Sequence, residues 1–395
     1  MARISYLSGP ANFPQIFAFQ QGGAKQTFFG TNYMKLFIDF VKQVAAKAQV
    51  VTWVGETANF RDESGQFELV NRPMTMRGGL RYHADMVGWN LAILRKMMAY
   101  KPDVLLLTGA QDYWWIYAPL VRSGTKVIAS FHCVQWPVVG EPPFYKRLYA
   151  KLNAALVLRS ASAILVTSKA IRDQVKEMMG PGSTVPIIDH LPTYDARQFQ
   201  VIEPPAREKG AAFEVLFVGR IEENKGVFDL VGIARELAAE RPGEFRFHLC
   251  GEGSRLTQLK AQVAQQGLQD VVTIYGHCDT AQLSRIMDQA HACVVPTRSD
   301  FEAGFEMTCA EAILADRPLV TSRVCPALDY LRPATIEVPP DDVKAYKQAI
   351  VSLADDPVLY ASKRAACAGL KEQFFDPANS WTTALRKAWS LAGLS

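Results

Sequence analysis

Apolar and polar positions along the 395-residue chain alternate between two rhythms. Short apolar runs of strand type (ISYL, QVVTWV, DVLLLTG, KVIASF and AILVTS in the first half) are separated by longer segments, such as 31–47 and 84–99, with apolar residues at helical spacing. Apolar strands set between helices predict parallel sheets covered on both faces, and so an α/β protein. The rhythm fails across 195–210, where the Pro- and charge-rich stretch QFQVIEPPAREKGAA reads as an interdomain linker. It restarts with EVLFVGR, a helix from Val227 to Glu240, and the strands FRFHLCG, VVTIYG, ACVVPT, PLVTS and TIEVP. Helices over 341–353 and 378–391 follow, the second after a break at Phe375-Asp376-Pro377. The pattern predicts two doubly wound domains, 1–200 and 201–375, with 376–395 as a terminal helical segment.

Length agrees, since a chain of this size exceeds what one hydrophobic core normally spans. Hydrophobic content of 49% with 21% charged residues is that of a globular protein. A net charge of +4 lacks the footprint of a nucleic-acid binder, yet suits phosphate-rich ligands or anionic lipid. The seven cysteines, an odd number without C-x-x-C pairs, argue against a disulfide framework or a zinc site. The start MARISYLSGP reads as a first strand and not as a signal peptide, and no run approaches the roughly 18 apolar residues of a membrane span. A cytoplasmic protein is expected.

Candidate chemistry concentrates in 294–322, VVPTRSDFEAGFEMTCAEAILADRPLVTS, which reads as strand, Gly-containing turn, helix, Pro and strand. A turn that presents backbone N–H groups at a helix start suits an anionic or sugar-phosphate ligand. Glu311 lies inside that helix, within reach of a ligand hydroxyl. Arg220 and Lys225 follow the first strand of the second domain, at the strand end where open α/β sheets bind ligands. Two cations so spaced can clamp a diphosphate, or can be solvated loop charges beside Glu222 and Glu223. His132 stands just past the strand KVIASF, facing the same cleft. Trp89, Trp114, Trp115 and Trp136 are either core anchors or sugar platforms. The helix FYKRLYAKLNAALVLR sets Leu148, Leu152 and Leu156 among Lys146, Arg147, Lys151 and Arg159, as a solvated basic face or a surface for anionic membrane. No Asp-x-Asp motif stands where it could hold a metal.

The segment around Gly304-Phe305 and Glu311-Ala312, with Asp316-Arg317-Pro318 before the next strand and R-x-x-x-x-K-G at Arg220, resembles the family 4 retaining glycosyltransferases. The resemblance implies a GT-B fold, two Rossmann-like domains facing across a cleft, with the last helix crossing back to the first domain. It implies metal-independent transfer of a hexose from a UDP- or GDP-linked donor to a hydroxyl acceptor, a lipid-linked or polysaccharide intermediate. In that scheme Arg220 and Lys225 offset the charge of the leaving diphosphate, and His132 touches the transferred sugar. Donor contacts run through Glu302, Ala303, Gly304, Phe305, Glu306, Met307 and Thr308 to Glu311, with Gly30, Gly253, Tyr275 and His277 as further donor positions. The family's first motif Glu falls here on Ala303, with acids at Glu302 and Glu306 nearby. Three readings stay open: a neighbouring Glu takes over the sugar contact, the chain is a variant inactivated at this position, or it is a nucleotide-sugar-binding scaffold of a polysaccharide assembly complex.

Overall fold

The computed structural model describes residues 1–20, 33–53, 59–74, 77–199 and 210–394. The first domain is built on strands β1 (Arg3–Leu7), β2 (Lys47–Thr52), β3 (Phe60–Arg61), β4 (Phe67–Asn71), β5 (Val104–Leu107), β6 (Lys126–Phe131), β7 (Ala161–Val166) and β8 (Ile187–Asp189). Their order is β3-β4-β2-β1-β5-β6-β7-β8, parallel except for the β3–β4 pair. Three of these strands, β3, β4 and β8, go beyond the five apolar runs visible in the sequence. Strands β3 and β8 are edge elements of two and three residues, and β4 is held by pairing with β2 and β3; these pairings supply what their own sequences lack.

The second domain contains β9 (Phe213–Val218), β10 (Phe245–Cys250), β11 (Val272–Gly276), β12 (Ala292–Val295), β13 (Leu319–Ser322) and β14 (Thr335–Val338). They form a parallel sheet in the order β11-β10-β9-β12-β13-β14. Successive residues of each strand serve opposite faces. In β5, Leu105 and Leu107 pack with Trp114 and Phe131, while Val104 and Leu106 pack with Phe37 and Trp389. Trp89, Trp114 and Trp136 are thus core anchors.

Trp389 belongs to the last helix, Trp381–Leu391. Its buried residues Trp381, Ala384, Leu385, Ala388 and Trp389 follow the i, i+3, i+4, i+7, i+8 stripe of an amphipathic helix. That stripe lies against Ile4, Phe40, Ile128 and Leu165 of the first domain, so the chain ends where it began. Ser380 caps the helix by accepting from Thr383 N at 3.1 Å.

In both sheets the strand order reverses beside the first strand, between β1 and β5 and between β9 and β12. Such switch points open crevices at the carboxyl ends of strands. The two crevices face each other. Val134, in the loop after β6, donates its N–H to Ala303 O at 3.0 Å, and Cys133 bridges Gly304 in antiparallel fashion. Among the described residues no helix is long and apolar enough to cross a membrane.

Candidate active site

One cavity meets this seam, and another lies within the second domain. The larger, about 780 Å³, lies over the first domain's switch point, with Ser8 and Gly9 after β1 and Thr108 and Gly109 after β5 in its wall. Tyr33, Trp53, Met74, Tyr82 and Met86 make much of its surface apolar, and Met307 reaches it from the second domain. The smaller, about 310 Å³, lies at the carboxyl ends of β9, β10 and β11, lined by Gly219, Arg220, Gly251, Glu252, His277 and Cys278.

Arg220 and Lys225 share one aromatic ring. The Arg220 guanidinium lies 5.6 Å and the Lys225 Nζ 4.0 Å from the centroid of Phe301. Arg220 is exposed, whereas Lys225 is buried and forms an ion pair with Glu306 at 2.7 Å. Lys225 is thus not a solvated loop charge, whereas Arg220 remains in solvent and near Glu222. Glu222 accepts from Ser254 N and Oγ, at 2.7 and 2.8 Å.

Glu306 takes a left-handed backbone (φ 57°) and precedes the helix Met307–Leu314. That conformation, uncommon for a residue with a Cβ, turns the chain sharply into the helix. Thr308 Oγ1 then ties the helix start to the end of β9, donating to Val218 O at 3.0 Å. A Cβ on Gly304 would lie 2.6 Å from His132 O, so this glycine permits the close approach of the two domains.

Glu302 points into the larger cavity. Lys146 binds it at 2.9 Å and Asp112 at 2.8 Å. Burial opposes the Lys146 charge, but the two carboxylates outweigh it and raise its pKa; burial raises that of Glu302, with Lys146 acting against it. Lys146 is therefore an interdomain tie and not part of a solvated basic helix face.

His132 borders the larger cavity, its ring 4.3 Å from Tyr33 and 5.7 Å from His190. Burial brings its pKa down to about 4, so the imidazole is neutral near pH 7. His190 follows β8 as His132 follows β6. Both of its nitrogens are buried without a partner among the described residues.

Other positions sit differently from their sequence assignments. Glu311, placed by sequence within reach of a ligand hydroxyl, is buried beneath Tyr194, whose hydroxyl donates to its Oε1 at 3.5 Å. Burial pushes its carboxyl up to about 8, with the Tyr194 hydrogen bond opposing the shift. Phe305 packs on Tyr330 and Phe374 and is a core residue of the loop. Tyr275 turns away from the smaller cavity, its hydroxyl 2.9 Å from His248 Nδ1, while His277 reaches that cavity. Gly253 packs on the Ile221 backbone, where a Cβ would meet its carbonyl at 2.3 Å; Gly251 and Glu252 take the cavity wall. Ala303 is fully buried. Gly30 lies outside the described residues. Among the described residues no three His, Cys, Asp or Glu side chains gather as metal ligands, and the seven cysteines are free thiols.

Residues 212–356 match the family described as glycosyl transferases group 1, and residues 41–188 match the glycosyl transferase 4-like domain. Glycogen synthase of Mycobacterium tuberculosis is 28% identical over 310 residues, which cover 72% of this chain and 70% of that protein. The HepE protein of Anabaena, crystallised with UDP and glucose, aligns with a TM-score of 0.66 at 14% identity, over 99% of this chain and 100% of that one. Sucrose-phosphate synthase of Thermosynechococcus elongatus aligns with a TM-score of 0.68 at 16% identity, over 100% of both chains. At these identities the structural likeness speaks for the fold.

Proposed function

Because the chain belongs to the family 4 glycosyltransferases and has their GT-B fold, we propose that it moves a hexose from a UDP- or GDP-linked donor to a hydroxyl acceptor across the cleft between its domains. The observation that carries this reading is the pairing of the Arg220–Lys225–Phe301 cluster with the His132–Val134 loop, joined through Ala303 and Gly304.

In this reading the nucleotide occupies the second domain's crevice, with its base in the smaller cavity near His277. As the bond from anomeric carbon to phosphate oxygen breaks, the electron pair passes to the diphosphate. Arg220 and Lys225 offset that charge without a metal. The acceptor oxygen bonds to the anomeric carbon and its proton leaves with the diphosphate, with retention of configuration as the family resemblance implies. Glu311 is the candidate for the ribose hydroxyls once Tyr194 gives way.

The acceptor takes the larger cavity, where the apolar wall suits a lipid-linked glycan and Glu302 and Asp112 supply hydrogen-bond acceptors. Phe144, two residues before the cavity-lining Lys146, is 82% exposed, and Leu80, two residues before the cavity-lining Tyr82, is 88% exposed. Phe144, with Arg147 and Lys151 on its own helix, would offer a surface for peripheral contact with anionic membrane.

The test is release of UDP or GDP from a panel of UDP- and GDP-hexoses in the presence of lipid-linked and soluble glycan acceptors. Acceptor-dependent release supports transfer, and neither release nor binding sinks it. A second reading, a nucleotide-sugar-binding scaffold, is favoured by the apolar, fully buried Ala303 where the family carries Glu. It predicts donor binding without turnover in every form of the chain.

A further inference from the structure

Ser130, at the buried end of β6, joins the terminal helix to the cavity. Trp381 Nε1 donates to Ser130 Oγ at 3.0 Å, and the same oxygen lies 3.1 Å from His132 Nε2. Trp381 and Ser130 are both fully buried. His132 Nδ1 is shielded from solvent and has no partner among the described residues.

The protons of this chain can be counted. An indole nitrogen only donates, so Ser130 Oγ accepts from Trp381. The hydroxyl then has one proton to give, and among its hydrogen bonds the acceptor is His132 Nε2. If the imidazole instead carried its proton on Nε2, the Ser130 proton and the bare Nδ1 would both be left unsatisfied in a buried place. With the proton on Nδ1, a single N–H is left over. The second arrangement leaves fewer buried polar groups unpaired. Desolvation keeps the ring neutral, so one nitrogen must stay bare.

We propose that the terminal helix, through Trp381 and Ser130, holds His132 in the Nδ1–H tautomer and so fixes the ring at the wall of the larger cavity. Trp381 and Ser130 are positioning residues, and His132 is the group that meets the ligand. This rests on the transferase reading for the identity of the ligand, though the tautomer itself does not.

The experiment uses the full chain labelled with 15N-histidine, with the His132 signals identified by their loss in His132→Gln. The expected spectrum has a protonated Nδ1 and a bare Nε2. Ser130→Ala should move part of the population to the Nε2–H form, and Ser130→Thr should restore the original. Trp381→Phe supplies the same readout should Ser130→Ala fail to fold. In donor turnover, Ser130→Ala should lower kcat/KM about tenfold, the scale of one hydrogen bond, while the Kd for nucleoside diphosphate stays within about twofold. A wild-type proton on Nε2, or a tautomer unmoved by Ser130→Ala, overturns the relay. Unchanged turnover in a Ser130→Ala enzyme with a shifted tautomer overturns the positioning role. If no form turns over a nucleotide sugar, the spectra still decide the relay, and the transferase reading alone falls.

Discussion

Lys225 and Glu306 form an ion pair of 2.7 Å in the cleft, with side chains only 11% and 13% exposed. The cation proposed to meet a diphosphate is thus already matched by a carboxylate from the motif loop, and a phosphate must compete with Glu306 for it. Removing that competitor separates binding from turnover. Glu306→Gln should tighten nucleoside diphosphate binding several-fold and lower stability by about 1–3 kcal/mol, since a buried ammonium loses its partner. Calorimetric titration with UDP and GDP, beside thermal melts, checks both. Weaker binding in the variant would show that Glu306 itself orders the site.

Arg220 is exposed, and its guanidinium lies over Phe301 with no ion pair among the described residues. Arg220→Ala should cost about 1.5–3 kcal/mol of nucleoside diphosphate affinity, the range for hydrogen bonds to charged groups. The melting temperature should hardly move. Unaltered affinity for both UDP and GDP would remove Arg220 from the diphosphate site.

The motif position occupied by Ala303 is buried beneath the Val134 backbone, while Glu302 reaches the larger cavity. Ala303→Glu forces a carboxylate into packed space and should destabilise the fold by about 1–3 kcal/mol, as overpacking does. Glu302→Ala should lower transfer on the order of 10-fold if Glu302 carries the sugar contact. A rise in turnover with Ala303→Glu would reverse this and mark the chain as impaired at position 303.

Glu311 makes the ligand-free protein sensitive to pH. Its folded pKa of about 8 lies above its ordinary value, so the folded form holds a proton that the unfolded chain loses. The stability it contributes is full below the ordinary carboxylate range and is lost as pH rises through about 8. The melting temperature should therefore fall between pH 5 and pH 8, by less in Glu311→Gln, which mimics the protonated acid. Equal slopes in wild type and variant would mean that Glu311 ionises freely in the fold. In the same variant, ribonucleotide affinity should fall more than 2′-deoxynucleotide affinity if Glu311 meets the ribose.

The sequence by itself determined what depends on local order. Strand and helix periodicity produced the two α/β domains, the stripe from Trp381 to Trp389 announced a helix that needs a hydrophobic face, Arg220 and Lys225 followed a strand end, and Gly304 stood in the turn before a helix. Strands β3, β4 and β8 stayed hidden because pairing with neighbours, not their own pattern, holds them. What only the tertiary structure decided are contacts between residues far apart in the chain. Lys146 looked like one of several basic residues on a helix face, and became a tie because folding brought Asp112 and Glu302 to it. Glu311 looked available to a ligand, and Tyr194 covers it. Phe301 gave no sign of seating two cations, nor Ser130 of standing between Trp381 and His132. Periodicity encodes which face of an element is buried. Which charge, ring or hydroxyl lies opposite is set by how two sheets and a returning helix pack together.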